Sequence, residues 1–111
     1  FGDLINPAYN AAALSDTTRA LKAGGYSGSN TNTIEYVTIQ TTGDGTDFGD
    51  LSSGRQGVGG FSDGTNGHFA GGWSYELQID AVVIQTTGNA TDHGDLAVGY
   101  ARPACCSGNA S

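Results

Sequence analysis

The chain of 111 residues repeats its own sequence. Residues 34–51 read IEYVTIQTTGDGTDFGDL and residues 79–96 read IDAVVIQTTGNATDHGDL, so 12 of 18 positions are identical at an offset of 45. The FGDL at 1–4 is a further occurrence of the end of this block, and from there residues 1–25 align without a gap onto 48–72. A chain built in this way is expected to fold as successive examples of one supersecondary unit, each covering a face of the next.

Each repeat also contains a Gly-Gly doublet, at 24–25 and at 71–72. Paired glycines in a strand mark a bend or the close approach of another backbone. A period in the mid-forties with such a doublet is typical of a four-stranded propeller blade. We therefore predict an all-β fold of propeller-type antiparallel repeats, about 2.4 repeats of 45–47 residues each. The predicted unit is a single β-repeat domain, 1–111, with segments near 1–47, 48–92 and a partial 93–111.

Strands are predicted most directly in the repeated block. In 34–42 and 79–87, β-branched residues recur with a period of two, and apolar side chains occur on both faces. Strands of that kind need cover on both sides, which stacked sheets supply. The interior positions expected from this pattern are Val37, Ile39, Val82 and Ile84.

The alanine-rich stretch 5–20 is also predicted as strand and turn, although its composition would suit a helix. Its gapless counterpart, 52–67, is rich in glycine. A helix there would cost about 1 kcal/mol for each glycine relative to alanine. The alignment therefore favours strand and turn for both stretches.

Together these features resemble kelch-type propeller repeats. The doublets are followed by aromatic residues, Tyr26 in one repeat and Trp73 and Tyr75 in the other, and Tyr36 precedes a turn. The Tyr36 position is Ala81 in the second repeat, and the later tryptophan of the kelch pattern is missing.

A closer resemblance is to the kelch-like repeats of large structural proteins in virions of cyanobacterial and related aquatic bacteriophages. It rests on residues 38–51 and 83–96, which match the Thr-Ile-x-Thr-Thr-Gly-Asn-Ala-Thr-Asp-Phe-Gly-Asp-Leu block of those repeats nearly throughout. The resemblance implies a component of a virion or of an extracellular fibre, without catalytic residues. The positions expected to serve packing or assembly are Val37, Ile39, Val82, Ile84, Gly24, Gly25, Gly71, Gly72 and Trp73.

Composition narrows the range of partners. Four basic residues face eleven acidic ones, for a net charge of −7, which argues against binding to a phosphate backbone. No apolar run reaches the length of a membrane span. The hydrophobic fraction is only 37%, so the core is expected to be thin. Because the chain enters at FGDL and leaves before a third Gly-Gly strand, we expect association with other copies of itself or continuation into further repeats.

Polar and titratable residues give only weak candidates for chemistry. Asp44, Asp47 and Asp50 surround a glycine-rich turn and are possible calcium ligands, although side-chain-to-backbone hydrogen bonding is the favoured role. His68 and His93 accompany no nucleophile, so we predict no enzyme activity, no catalytic residue and no cofactor.

The adjacent Cys105 and Cys106 have Cα atoms about 3.8 Å apart, too close for an unstrained disulfide. They are expected to be reduced, and a bridge to another chain is the alternative.

Two functional hypotheses follow. The first is a structural repeat protein of a virion fibre or extracellular filament that assembles through β-strand contacts. The alternative is a lectin-like or adhesive module that binds a glycan or a protein. Aromatic side chains of Tyr26, Trp73 and Tyr75 exposed in one groove would favour binding, whereas their burial at repeat contacts would favour structure.

Overall fold

The computed structural model describes residues 1–99, so the expectations for Cys105 and Cys106 lie outside the described residues. The described secondary structure is all β, without helix. Its strands are β1 Ala12–Ser15, β2 Arg19–Ala23, β3 Thr33–Thr38, β4 Thr46–Asp50, β5 Gly59–Ser62, β6 Asn66–Ala70, β7 Gln78–Val83 and β8 Thr91–Asp95.

The strands form two four-stranded antiparallel sheets. Sheet 1 has the order β1-β2-β3-β4 and sheet 2 has the order β5-β6-β7-β8, so neighbours in sequence are neighbours in space. The prediction of an all-β chain is confirmed for the described residues, including the alanine-rich stretch 5–20, which contains β1 and the start of β2.

The strands of sheet 2 follow those of sheet 1 at the offsets found in the sequence. β5 and β6 begin 47 residues after β1 and β2, and β7 and β8 begin 45 residues after β3 and β4. Pairing follows the same rule, since Leu14 opposite Leu21 corresponds to Phe61 opposite His68. Each sheet also has one register shift at the same place, between its third and fourth strands.

The core lies between the two sheets. One face of sheet 1, which carries Leu14 and Leu21, packs on the face of sheet 2 that carries Val82, and β1 lies over β5 and β6. Leu14 fits against Gly67, where an added Cβ would lie only 2.8 Å from both Leu14 methyl carbons. A large side chain on one sheet therefore enters a hole left by glycine on the other.

Equivalent positions differ in burial according to which sheet they occupy. Val82 and Ile84 are buried, whereas Val37 is half-buried and Ile39 is 39% exposed. Val82 and Ile84 of sheet 2 therefore lie in the interior, as expected. Ile39 of sheet 1 does not lie in the interior of the single chain. The physical reason is that sheet 1 covers the face bearing Val82, while no other sheet in the described residues covers the equivalent face of sheet 1.

The FGDL segment 48–51 connects the two sheets through its backbone. It pairs with β3 in sheet 1 and also lies on the turn 88–90 of sheet 2. The Gly88 and Ala90 amides donate to the Phe48 and Asp50 carbonyls, each at 2.8 Å. The Asp50 amide donates to Asn89 Oδ1 at 3.0 Å.

The FGDL at 1–4 makes the same three hydrogen bonds one repeat earlier, to the turn 43–45. The Gly43 and Gly45 amides donate to the Phe1 and Asp3 carbonyls at 3.0 and 2.7 Å, and the Asp3 amide donates to Asp44 Oδ1 at 2.9 Å. We name this arrangement the FGDL–turn contact.

The close approach in the FGDL–turn contact generates a stability prediction with a matched control. Gly49 and Gly94 have nearly the same φ, 149° and 143°, but an added Cβ would collide with the Gly88 carbonyl only at Gly49. Both Gly→Ala variants suffer the backbone strain of positive φ, about 1–3 kcal/mol. We expect Gly49→Ala to lower the free energy of unfolding by about 1–3 kcal/mol more than Gly94→Ala, because it also overpacks the contact.

Urea unfolding of dilute samples measures this difference. Equal losses in the two variants would contradict the proposed role of the close approach.

Candidate functional site

The most deeply buried polar contacts lie where the linker 51–58 passes from sheet 1 to sheet 2. Arg55 and Asp80 have side chains that are 1% and 0% exposed, and Arg55 Nη2 lies 2.9 Å from Asp80 Oδ2. Arg55 Nη1 donates to the carbonyls of Gly71 and Gln78 at 2.8 and 3.0 Å. The guanidinium therefore fastens the linker to two segments of sheet 2.

Asp80 is satisfied by the same linker. The Ser52 amide donates to Asp80 Oδ2 at 2.9 Å, and the Ser52 hydroxyl donates to Asp80 Oδ1 at 2.7 Å. A buried carboxylate is tolerated when a cation and additional hydrogen bonds satisfy it, as here. The sequence pattern alone does not single out Arg55 or Asp80. A usable signal was that Arg55 is one of only four basic residues and stands in a glycine-rich stretch.

Sheet 1 has a looser version of this arrangement, with the carboxylate at the equivalent position and the cation at a different one. Glu35, at the position of Asp80, accepts a hydrogen bond from the Ile5 amide at 2.8 Å. Its partner cation is Lys22, whose Nζ lies 3.3 Å from Glu35 Oε1. Each sheet thus uses a buried carboxylate on its third strand to hold the segment that follows an FGDL sequence.

The first residue of each Gly-Gly doublet bends the chain, and Gly24 also admits another backbone. Gly24 and Gly71 have φ values of 66° and 71°, a conformation that other residues rarely adopt. A Cβ on Gly24 would lie 2.6 Å from the Arg55 carbonyl oxygen. The bend and the close backbone approach that the doublets predict are therefore both present.

The second residues of the doublets, Gly25 and Gly72, are also buried with positive φ. The Gly25 amide donates to the Arg55 carbonyl at 2.8 Å. Trp73, which follows Gly72, donates its backbone amide to the Gln56 carbonyl at 2.8 Å, while the residue as a whole is 48% exposed. Doublet and tryptophan therefore hold the linker through their backbones.

A set of polar contacts joins the rims of the two sheets. Gln85 donates to the side chains of Asp16 and Thr18, and Arg19 Nη1 donates to the Ile84 carbonyl at 3.1 Å. Burial opposes ionisation of Asp16, but hydrogen bonds from Gln85 and from the Arg19 and Thr18 amides outweigh it and lower the pKa of this carboxyl. The anionic form of Asp16 is therefore favoured at the rim.

The two histidines lie together on the face of sheet 2 that points away from sheet 1. The His68 ring stacks on Phe61 with centroids 5.0 Å apart, and it meets His93 edge-on at 4.6 Å. Burial and the neighbouring His93 lower the pKa of His68, against the opposing charge of Asp63. Neutral histidine is favoured, which suits rings that stand at the positions of Leu21 and Phe48 in sheet 1.

The aspartates considered for calcium have separate roles. Asp44 accepts the Asp3 amide within the FGDL–turn contact, and Asp50 contributes its backbone to the next such contact. Asp47 pairs across the sheet with Glu35 through its backbone position. Within residues 1–99, no group of three or more His, Cys, Asp or Glu side chains is placed to hold a metal ion.

Comparison with known protein families and with curated protein sequences gives no match for this chain. Across the described residues, no helix is long and apolar enough to cross a membrane. What the geometry itself presents is an interface that fastens one sheet to the next, made of the FGDL–turn contact, the Arg55–Asp80 pair and the polar rim.

The buried pair generates the second prediction. Arg55→Met leaves the Asp80 carboxylate without its cation, and we expect it to lower the free energy of unfolding by about 3–5 kcal/mol. Adding Asp80→Leu to this variant is expected to recover part of the loss, because the unpaired buried charge is removed.

Lys22→Met is the matched control, since Lys22 is partly exposed and Glu35 keeps its bond from the Ile5 amide. Its loss is expected to be less than half that of Arg55→Met in urea unfolding. A loss from Lys22→Met as large as that from Arg55→Met would show that the linker pair has no special role.

Proposed function

We propose that this chain is a structural β-repeat protein whose sheets are kelch-like, propeller-type units, and that it assembles with further copies of itself into a virion fibre or an extracellular filament. The observation that carries the proposal is the FGDL–turn contact, made twice with the same three hydrogen bonds, at 1–4 with 43–45 and at 48–51 with 88–90. Two of the three hydrogen bonds are made by backbone atoms alone and the third is accepted by either Asp44 or Asn89, so the contact tolerates most side-chain changes and can be used repeatedly along a series of units.

The shape of the hydrophobic surface supports the same proposal. The face of each sheet that is not packed on the other carries exposed β-branched residues, with Ile39 at 39% and Val83 at 46% exposure. Sheet faces of this kind need cover, and open sheet edges offer unpaired backbone groups to other chains. Packing of sheet on sheet would cover these faces, and strand contacts between copies would pair the open edges.

The net charge argues against nucleic-acid binding, and the family resemblance supports a structural role. A net charge of −7 disfavours contact with phosphate backbones and keeps assemblies soluble. Resemblance of the repeated block to bacteriophage structural repeats supports a virion or extracellular location.

One observation favours the alternative, a glycan- or protein-binding module. Trp73 and Tyr75 follow the second doublet and are 48% and 70% exposed, as sugar-stacking aromatics are. Tyr26, at the equivalent position of sheet 1, instead packs against Tyr9 with ring centroids 5.5 Å apart. The three aromatics therefore belong to two different loops, one for each sheet, and the structural role is the better supported.

Sedimentation velocity at micromolar concentration tests the proposed function. We expect species larger than the 11.2 kDa single chain, in increasing proportion as the protein concentration rises. Far-UV circular dichroism on the same samples checks that the material is folded as β-sheet. A cooperatively folded monomer at all concentrations tested would refute the proposal.

A further inference from the structure

Each sheet has one face that is not packed on the other sheet. The outer face of sheet 1 carries Ala13, Ala20, Lys22, Glu35 and Val37, as the strand pairing shows. The outer face of sheet 2 carries Phe61, His68, Ala81 and His93. Because the sheets are equivalent by offset, these two faces correspond to the two faces that already meet inside the chain.

The internal interface shows how such faces fit. Leu14 of sheet 1 lies against Gly67 of sheet 2, next to Val82. At the repeat offsets, Leu14 corresponds to Phe61 on the outer face of sheet 2. Gly67 corresponds to Ala20 on the outer face of sheet 1, so a small residue again stands there, but its Cβ fills the point that Leu14 occupies against Gly67 and the larger side chain has to enter beside it.

A recess is present on the outer face of sheet 1 at that place. It has a volume of about 180 Å³ and an almost entirely apolar lining that includes Leu4, Ala13, Ala20 and Val37. It is of the size that one aromatic side chain fills. Lys22 also lines it, but its ammonium group is held by Glu35 and by the Asn6 carbonyl, which leaves its methylene groups to face the recess.

The polar rim can be repeated as well. Inside the chain, Gln85 binds Asp16 and Thr18, and Asp16 accepts the amides of Thr18 and Arg19 at 2.7 Å each. The equivalents of these three residues are Gln40, Asp63 and Thr65.

Asp63 accepts the amides of Thr65 and Asn66 at 2.8 and 2.7 Å, so the turn that Gln40 would meet has the same hydrogen bonding as the turn that Gln85 meets.

We propose that the outer face of sheet 2 in one copy packs on the outer face of sheet 1 in a second copy of this chain, in the manner of the internal interface, with Phe61 entering the recess beside Ala20. The inference rests on the proposed function, since it names the surfaces through which assembly occurs. The contact is head-to-tail, so each copy uses a different face toward each neighbour.

The FGDL–turn contact is part of the same docking. Residues 93–96 read HGDL and hold the position in sheet 2 that 48–51 hold in sheet 1. In the pair, they reach the turn 43–45 of the second copy and take the place of that copy's residues 1–4, with Leu96 taking the position of Leu4 in the lining of the recess. Residues 1–4 belong to no strand of either sheet, whereas 93–95 are part of β8, so the exchange keeps the three turn bonds and adds continuity with a sheet.

Two variants on opposite faces test the proposal. Phe61→Asp places a charge where the recess needs an apolar ring, and Ala20→Phe fills the recess from its own chain. We expect each variant alone to associate at least about tenfold more weakly than the natural chain, as truncation of a central interface residue does. Tyr75→Asp, which changes an exposed aromatic in a loop, is the matched control and is expected to associate as the natural chain does.

Mixing the two variants is the decisive test of head-to-tail pairing. Phe61→Asp retains an intact outer face on sheet 1, and Ala20→Phe retains one on sheet 2. An equimolar mixture is therefore expected to form a heterodimer and to stop at two copies in sedimentation velocity. Circular dichroism verifies that each variant is folded. Because the two substitutions lie on different sheets, each variant tests one outer face independently of the other.

The possible failures are distinguishable. If the natural chain assembles and both variants assemble equally well, the contact lies elsewhere and this inference is wrong while the proposed function stands. A mixture that remains monomeric overturns the head-to-tail pairing. A natural chain that is itself monomeric refutes the proposed function, and this inference with it.

Discussion

The structure depends on a backbone contact that glycine makes possible, the FGDL segment 48–51 lying on the turn 88–90. This segment belongs to sheet 1 by strand pairing and to sheet 2 by its bonds to the turn, so it fixes both sheets at once. Each hydrogen bond contributes only about 1 kcal/mol net, but three of them act on one short segment. Since they use backbone amides and carbonyls together with the Asn89 side chain, the aromatic position of the motif is free to change from Phe48 to His93.

Electrostatics reinforces this contact to different extents in the two repeats. The linker after 48–51 is held by a fully buried pair, Arg55 and Asp80, while the segment after 1–4 is held by Glu35 with a partly exposed Lys22. Buried pairs lose much of their attraction to desolvation, so their main effect is to forbid other arrangements of the linker. The segment that follows residues 1–4 is therefore held less tightly than the linker that follows 48–51. The proposed exchange with a second copy requires this difference.

Local pattern determined the elements that could be predicted from sequence. The period-two alternation gave strands at β3 and β7, and the doublets gave the bends at Gly24 and Gly71. The alignment with a glycine-rich partner correctly overruled the helical composition of the alanine-rich stretch. In each case the information lay in neighbouring residues or in the internal repeat.

Contacts between distant residues could not be predicted in the same way. Arg55 and Asp80 are 25 positions apart, and no local pattern pairs them. The exposure of Ile39 beside the burial of Ile84 depends on which face another sheet covers, which two nearly identical sequences cannot distinguish. The boundaries of the sequence segments 1–47 and 48–92 also differ from those of the sheets. The FGDL at 48–51 begins the second segment, but it contributes to the last strand of sheet 1 and touches sheet 2.

The central claim is that the interface between the two sheets is used again between copies of the chain. Cross-linking of two single-cysteine proteins tests it most directly, in a background where Cys105 and Cys106 are replaced by serine. Phe61→Cys in one protein and Ala20→Cys in the other are predicted to form a disulfide-linked heterodimer under mild oxidation. The exposed Ser27→Cys, paired with Phe61→Cys, should cross-link far more slowly. Equal rates for the two pairs would contradict the account.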